Sequence, residues 1–169
     1  MEIRQEFIVN APCDRVWNIL GHQYSQVSIW ASDVYASRQH DLGTVLHDAP
    51  CAGRVCETSM GKFKETITHY DEQRKQVSYT AKGDKMPFFV KRLVNNWTVV
   101  PLENHRSKVE MRLDVSLLPV FDVVMGPMLQ KQMKTVTQAV AEDLTYFAEK
   151  GNPHPRKFEA RQHNRLKTA

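Results

Sequence analysis

The chain has 169 residues, 41% of them hydrophobic and 25% charged, a composition typical of a single globular domain. Its formal net charge of +4 is accounted for by the segment between Arg156 and Lys167, where five basic residues accompany one acidic residue. The rest of the chain is therefore about neutral, and nucleic-acid binding is not expected. No apolar run is long enough to span a membrane, and the charged N-terminus lacks the apolar run of a signal peptide.

The three cysteines agree with the missing export signal. Cys13, Cys51 and Cys56 are an odd number, whereas a disulfide framework uses paired cysteines in an exported protein. We therefore predict a cytoplasmic location and three free thiols.

The first thirty residues predict one strand followed by two short helices. Hydrophobic and polar residues alternate over residues 3–9, which is typical of a strand with one buried face. Asn10 is a favourable N-cap for the first helix, and Gly21 is expected to end it. A second short helix is expected over residues 24–31. No glycine-rich phosphate loop follows, so a nucleotide-binding start is excluded.

From Val34 to Ser116 hydrophobic residues recur at every second position instead of at helical spacing. One wet face and one apolar face are typical of antiparallel strands. The pattern predicts six further strands, over residues 34–38, 54–58, 62–69, 75–82, 88–100 and 108–116.

The segment from Pro119 to Lys150 predicts a long amphipathic helix. Apolar residues recur there at steps of three and four, and Gly151 with two nearby prolines gives a stop signal. Because Gly126 and Pro127 interrupt the early part, the regular helix is expected to start only there, after an irregular lead-in. A stripe of roughly eight turns needs a long apolar partner surface, which only the strand-rich middle of the chain offers.

The order of elements and several spaced residues resemble one known superfamily. The matching residues are Asn10-Ala11-Pro12 before Val16-Trp17, then Tyr24, Trp30, Gly61, Glu65, Tyr70-Asp71 and Tyr79. This pattern resembles the START-like (SRPBCC) superfamily, which has the birch-pollen-allergen fold and includes polyketide cyclase/dehydrase-like proteins. The resemblance implies an α+β helix-grip domain over residues 1–150: a curved seven-stranded antiparallel sheet around the C-terminal helix, with a cavity between them. Residues 151–169 are then expected to be a flexible basic tail.

The hairpin of residues 54–58 and 62–69 carries the most informative polar residues. A two-residue turn at Met60 and Gly61 would place Cys56 opposite Glu65, with Arg54 and His69 on the same, cavity-facing side. Burying a lone carboxylate is costly, so Glu65 should be paired, most simply with Arg54, or have a raised pKa. A structural ion pair, an anchor for a ligand head group and a general acid or base all remain open for Glu65.

Other residues share the predicted cavity face of their elements. Asn95 is expected to point inward, although a register shift of one residue would present Asn96 instead. The remaining candidates for ligand contact are Phe63, Ile67, Tyr79, Trp97, Met111, Met125, Met128, Met133, Val136 and Val140. Methionines suit an adaptable apolar pocket, but they also fill ordinary cores.

Motifs for catalysis or cofactor binding are missing. The seven histidines lack zinc-site spacing, and neither a P-loop nor a Gly-x-Ser-x-Gly elbow occurs, so no metal or cofactor is expected. The resemblance implies a small hydrophobic or amphipathic ligand, lipid-like or polyketide-like, in the cavity. One alternative is a cyclase/dehydrase-type enzyme with Glu65 as proton-transfer group. Another is a module that acts through its surface, with a collapsed cavity and a basic tail that docks a partner.

Three loops are expected to gather at the end of the sheet where the long helix begins. We call this end the mouth, and it comprises residues 59–61, 83–87 and 117–121. Its apolar tips are Met60, Met86, Leu118 and Phe121, with Lys62, Lys82 and Lys85 beside them. Such a surface suits transient contact with a membrane surface or an amphipathic partner while a ligand passes. The alternative is that the tips merely plug the open end of the core.

Overall fold

Strands and helices follow one another in the predicted order in the computed structural model, which describes residues 1–40, 42–160 and 162. A π-helical turn, Asn18–His22, and a 3-10 helix, Tyr24–Ile29, lie between the first helix and the second strand. The main elements are β1 (Glu2–Val9), α1 (Cys13–Trp17), β2 (Val34–Gln39), β3 (Gly53–Thr58), β4 (Gly61–Asp71), β5 (Gln76–Gly83), β6 (Val90–Leu102), β7 (Arg106–Leu117) and α2 (Pro119–Lys150).

The strands form one antiparallel sheet in the order β1-β7-β6-β5-β4-β3-β2. The sheet curves around α2, which packs mainly against the edge strand β1 and also contacts its neighbour β7. The predicted helix-grip α+β architecture is confirmed, including the two short helical segments after the first strand.

Strand β7 shows why this sheet has one apolar face. Its inward residues Val109, Met111, Leu113 and Val115 are all at most 5% exposed, and polar residues alternate with them. Burying such side chains is worth about 1.5–3 kcal/mol each relative to leaving them in water. The alternation therefore determines which face of the sheet meets α2.

Helix α2 begins earlier than predicted. Pro119 occupies its first turn, where the missing N–H costs nothing, and the helix continues through Pro127 without a break. The carbonyl that Pro127 leaves without a bond belongs to Val123, which is 81% exposed, so water can hydrate it. The expected late start is thus wrong, whereas the predicted stop is confirmed: Gly151 adopts φ 78° and its N–H donates to the Phe147 carbonyl at 2.9 Å.

Asn10 is not the N-cap of α1, contrary to the prediction. The capping position is Pro12, which makes no side-chain capping bond. Asn10 instead donates from its backbone N and its Nδ2 to Glu149 Oε1, at 2.8 and 3.0 Å. The residue therefore ties the end of β1 to the end of α2.

Part of the expected flexible tail lies against the domain. Lys157 is fully buried, and its Nζ donates to the carbonyls of Ala31 and Val34. Arg156 donates from Nε to Asp143 Oδ1 at 2.7 Å, and residues 156–160 form a helical turn. These two basic residues were expected in solvent, but buried acceptors hold them. Residues 163–169, which include the remaining predicted tail, lie outside the described residues.

Two further predictions concern cysteines and membranes. Cys13, Cys51 and Cys56 are free, as predicted. Among the described residues, no helix is both long and apolar enough to cross a membrane.

Candidate functional site

A cavity of about 170 Å³ lies between the concave face of the sheet and the middle of α2. Most of its wall is apolar and belongs to the buried core. The charged residues of the wall are Arg54, Glu65 and Asp33. Its other predicted members are Cys56, Met60, Phe63, Tyr79, Asn95, Trp97, Met111, Met133, Val136 and Val140.

The hairpin register differs from the prediction by two residues. Thr58 pairs with Gly61, so Cys56 lies opposite Phe63 and Arg54 lies directly opposite Glu65. Gly61 has φ 116° and starts the strand instead of occupying the turn. The Thr58 hydroxyl accepts from the Met60 N–H and donates to the Gly61 carbonyl, which stabilises a two-residue turn at Ser59 and Met60. Because the shift is even, every side chain keeps its face.

An ion pair occupies one wall of the cavity. Arg54 Nε donates to Glu65 Oε2 at 2.5 Å, and the two side chains are only 9% and 13% exposed. Tyr24 makes a hydrogen bond to each member of this pair. Its carbonyl accepts from Arg54 at 2.5 Å, and its hydroxyl donates to Glu65 Oε2 at 3.2 Å. The guanidinium also lies 4.1 Å from the centre of the Tyr24 ring. Both buried charges are therefore compensated.

The electrostatics of this wall keep its neutral groups neutral. Burial raises the pKa of the Tyr24 hydroxyl well above its usual range. Burial also raises the pKa of the Cys56 thiol to about 12, so the thiol is protonated at neutral pH. For Arg54, burial opposes the charge, but the Glu65 carboxylate raises the pKa of the guanidinium well above its usual value. Cys56 is thus no activated nucleophile.

Asn95, and not Asn96, faces the cavity. Asn95 pairs with Tyr79 across β5 and β6, and its Nδ2 donates to the Tyr79 hydroxyl at 3.1 Å. Burial raises the pKa of Tyr79 above its usual range. The Oδ1 atom of Asn95 is buried and accepts no hydrogen bond from the described residues.

Several predicted cavity residues lie elsewhere. Ile67 is 4% exposed and belongs to the main core without reaching the cavity wall. Met125 and Met128 lie before Met133, where the part of α2 that faces the cavity begins, and Met128 is 60% exposed. A bulge after Ile67 shifts the alternation of side chains by one residue. His69 is therefore exposed and Tyr70 is buried instead.

Tyr24 and Thr137 are functional candidates that the sequence did not reveal. The sequence placed Tyr24 at the start of a short helix, but its contact with a residue 41 positions away depends on tertiary structure. Thr137 lies one turn after Met133 and accepts from Gln5 Nε2 at 3.2 Å. Its helical spacing with Met133 and Val140 was the available signal.

The three loops of the mouth do gather as expected. The Lys62 N–H donates to Asp84 Oδ1, and the Leu118 N–H donates to the Phe89 carbonyl, both at 2.9 Å. Phe89 stacks on Phe121 with ring centres 4.8 Å apart. Met60 lines the cavity, whereas Met86, Leu118 and Phe121 are half-buried outside it.

A group of exposed apolar side chains lies on the first turns of α2 and beside the mouth. Its side chains are between 60% and 81% exposed, and we call it the apolar face: Phe88, Val120, Val123, Val124 and Met128. Exposed basic residues occur in the neighbouring loop and strand ends and further along α2: Lys82, Lys85, Lys91, Arg92 and Lys131.

The fold and cavity identify a helix-grip domain of the START-like superfamily. Residues 1–146 match the family described as polyketide cyclase/dehydrase and lipid transport, and the chain belongs to that family. The search of curated proteins found no match.

Solved structures show the same fold at low sequence identity. A START superfamily protein from Mycobacterium smegmatis is 19% identical with a TM-score of 0.65, covering 85% of this chain and 94% of that one. A protein from Nitrosospira multiformis is 18% identical with a TM-score of 0.67, covering 89% and 98%. Norcoclaurine synthase from Thalictrum flavum, in complex with dopamine and hydroxybenzaldehyde, is 14% identical with a TM-score of 0.61, covering 87% and 85%. At these identities the likeness concerns the fold alone.

Proposed function

We propose that this protein binds a small hydrophobic or amphipathic molecule in the cavity between the sheet and α2. The observation that carries the proposal is the cavity itself, an apolar space of about 170 Å³ in a wall of otherwise well-packed side chains. Pockets of this kind, mostly apolar with a few polar groups, are typical ligand sites. The family description, which includes lipid transport and polyketide chemistry, supports this class of ligand.

The volume limits the size of the ligand. An apolar cavity of about 150 Å³ holds one benzene molecule. The present cavity of about 170 Å³ therefore suits a molecule with one ring or a short chain. A long-chain lipid or a polycyclic polyketide would require α2 or the mouth to move outward.

Binding is better supported than catalysis. An enzyme of the cyclase/dehydrase type would need Glu65 available for proton transfer. Glu65 Oε2 instead accepts from both Arg54 and Tyr24, which compensates its charge. A collapsed cavity, which a purely surface-acting module would have, does not fit the open space beside Met111 and Val140.

A double-mutant cycle on Arg54→Met and Glu65→Gln tests the choice between binding and catalysis. Breaking one member of a buried pair typically costs about 3–5 kcal/mol, whereas an exposed pair contributes about 0–1 kcal/mol. We expect a coupling free energy in the upper range, measured by denaturant unfolding. Coupling within error of zero would leave Glu65 free as an acid or base and would favour the enzyme.

Filling the cavity tests the proposed function directly. Met111 is 2% exposed and lines the cavity, so Met111→Trp should abolish toluene binding in titration calorimetry at a cost of about 1–3 kcal/mol in stability. Met128→Trp is the matched control because Met128 is 60% exposed outside the cavity. Toluene binding that survives in Met111→Trp would contradict the proposal. Independently of this test, native mass spectrometry of protein purified from its own host would identify a natural ligand that stays bound.

The mouth gives this proposal a second part. We infer that the apolar face and its basic surroundings contact an anionic membrane surface transiently, so that a ligand enters or leaves there. Supporting observations are the exposed Val120, Val123 and Val124 and five exposed basic residues nearby, against Asp84 and Asp122. The cytoplasmic leaflet carries such negative charge, which accords with the predicted cytoplasmic location.

A further inference from the structure

One hydrogen-bonding atom in the cavity wall has no partner among the residues that the structure describes. This atom is Asn95 Oδ1, which is buried, while Asn95 Nδ2 is bonded to the Tyr79 hydroxyl at 3.1 Å. Other polar groups of the wall are satisfied: the Thr58 and Thr137 hydroxyls each donate to a backbone carbonyl at 3.0 Å. Leaving a buried polar atom unpaired costs about 1–3 kcal/mol. The free end of the Asn95 amide is therefore where a ligand gains most from a polar group.

A hydroxyl group is complementary to this free end. Asn95 Nδ2 donates to the Tyr79 hydroxyl, which leaves Asn95 Oδ1 at the free end as an acceptor. A carbonyl oxygen at the free end needs a donor, and an amide nitrogen there would need an acceptor. A hydroxyl supplies both and pairs with either end of the amide.

The apolar lining of the cavity disfavours any charged ligand, and the charges of the wall disfavour an anion most. Arg54, the one cation that lines the cavity among the described residues, is already bonded to Glu65 and to the Tyr24 carbonyl. Asp33 adds a second carboxylate at the edge of the cavity. An anionic ligand would lose its hydration and find no free cation, which is costly in a low-dielectric site.

We propose that the cavity is a site for an uncharged, single-ring molecule whose hydroxyl group hydrogen-bonds to Asn95. The class comprises phenols and small cyclic alcohols. The ring fills a volume of about 170 Å³, and the hydroxyl satisfies the amide. This inference rests on the proposed function, because it requires that the cavity take up a ligand at all.

Phenol and toluene form a matched pair for the test, since they differ only in a hydroxyl against a methyl group of similar size. The quantity to measure by titration calorimetry is the ratio of their dissociation constants in each variant. Asn95→Leu removes the amide from the cavity and should lower the relative preference for phenol by about tenfold. Asn96→Leu makes the same change on the opposite face, where Asn96 bonds to Asp114, and should leave the ratio unchanged. Benzoate, the anionic analogue, should bind more weakly than phenol.

The outcomes separate the two levels of the proposal. A ratio that is the same in wild type and Asn95→Leu overturns the role of Asn95, even if both compounds bind. Binding of benzoate as tight as phenol overturns the uncharged class. If neither toluene nor phenol binds to the wild type, the proposed function itself is contradicted. In case Asn95→Leu fails to fold, the wild-type Asn95 side-chain amide NMR signals should shift with phenol more than with toluene, and equal shifts would refute the contact.

Discussion

The two ends of the sheet are closed in opposite ways. At the end where α2 finishes, Trp17 is fully buried and its indole donates to Glu72 at 2.8 Å. Ser107 is equally buried, and its hydroxyl donates to the Ala11 carbonyl at 2.6 Å. At the mouth, by contrast, Phe88 is 74% exposed. One end is sealed by packing and hydrogen bonds, and the other leaves apolar side chains in water.

This difference indicates that one end mainly stabilises the fold and that the other has a role in binding. Burial stabilises the folded state roughly in proportion to the apolar area removed from water, so the closed end contributes most to folding. Exposed apolar side chains on α2 contribute little to folding and lower solubility. Their presence beside the mouth is therefore better explained by function. Mutations at the two ends should separate stability from binding, and the following predictions run from the largest expected effect on stability to the smallest.

Leu144→Ala should be the most destabilising of these changes. Leu144 is fully buried in the core that contains Trp17 and Ala148, and truncating a buried leucine costs about 2–5 kcal/mol. Val124→Ala on the same helix should change the free energy of unfolding by less than about 0.5 kcal/mol, because Val124 is 71% exposed. Urea denaturation measures both. Equal losses would mean that the two halves of α2 contribute alike.

Arg156→Met should destabilise the fold by about 1–3 kcal/mol. Arg156 bonds to Asp143, whose side chain is only 2% exposed, so its removal leaves a buried carboxylate with fewer donors. Arg74→Met is the control, because Arg74 is 78% exposed and lies 3.9 Å from its partner Asp71. A loss no larger than that of the control would show that residues 156–160 add nothing to the domain.

The sequence predicted the layout of the fold because its signals are local. Alternation in β7 and helical spacing in α2 reflect which face each element buries. The start of α2 was misplaced because the cost of Pro127 depends on whether water reaches the carbonyl of Val123. The positions of Arg156 and Lys157 could not be read, since their acceptors lie more than ten residues away in the chain.

The sequence predicted which face of each element carries the residues of the candidate site, but it did not predict which atoms those residues contact. The pairing of Arg54 with Glu65 followed from period two, which survives an even register shift. The bulge that exposes His69 has no signal in the sequence, because it depends on how β4 and β5 twist together. The unpaired oxygen of Asn95 emerges only when its neighbours Tyr79 and Trp97 are in place.

Glu72→Gln should weaken the closed end by an amount that depends on pH. Burial alone would raise the pKa of Glu72, but hydrogen bonds from Trp17, Lys75 and His22 lower it to about 2. Because the folded-state pKa lies below the unfolded value, the stabilisation is present above about pH 4.5 and is lost as the pH falls toward 2. The side chain is 32% exposed, so water screens it, and we expect a loss of about 1–2 kcal/mol at pH 7.

Unfolding measured from pH 7 down to pH 2 checks this prediction. The difference between wild type and Glu72→Gln should shrink as the pH falls from 4.5 to 2. Glu57→Gln is the control, since Glu57 is 51% exposed and its salt bridge to Lys62 lies on the surface. A difference that stays constant across this range would contradict the linkage between Glu72 ionisation and folding.

Replacing the apolar face should have almost no effect on stability but should reduce membrane contact. Val123 and Val124 are 81% and 71% exposed, so Val123→Ser with Val124→Ser removes little buried area. The wild type should co-sediment with phosphatidylglycerol vesicles more than with phosphatidylcholine vesicles, because nearby lysines such as Lys85 attract anionic lipid. We expect the double variant to bind at least about fivefold less, since two apolar side chains no longer enter the interface.

The control for this experiment is an exposed apolar residue far from the mouth. Ile8 is 52% exposed on the outer face of β1, and Ile8→Ser should leave vesicle binding unchanged. Raising the salt concentration should weaken wild-type binding, because the attraction between exposed charges is screened within about 8–10 Å. If the wild type does not sediment with anionic vesicles, or if Ile8→Ser weakens binding as much as the double variant, the mouth does not contact membranes. The exposed valines at the start of α2 would then cover another kind of partner.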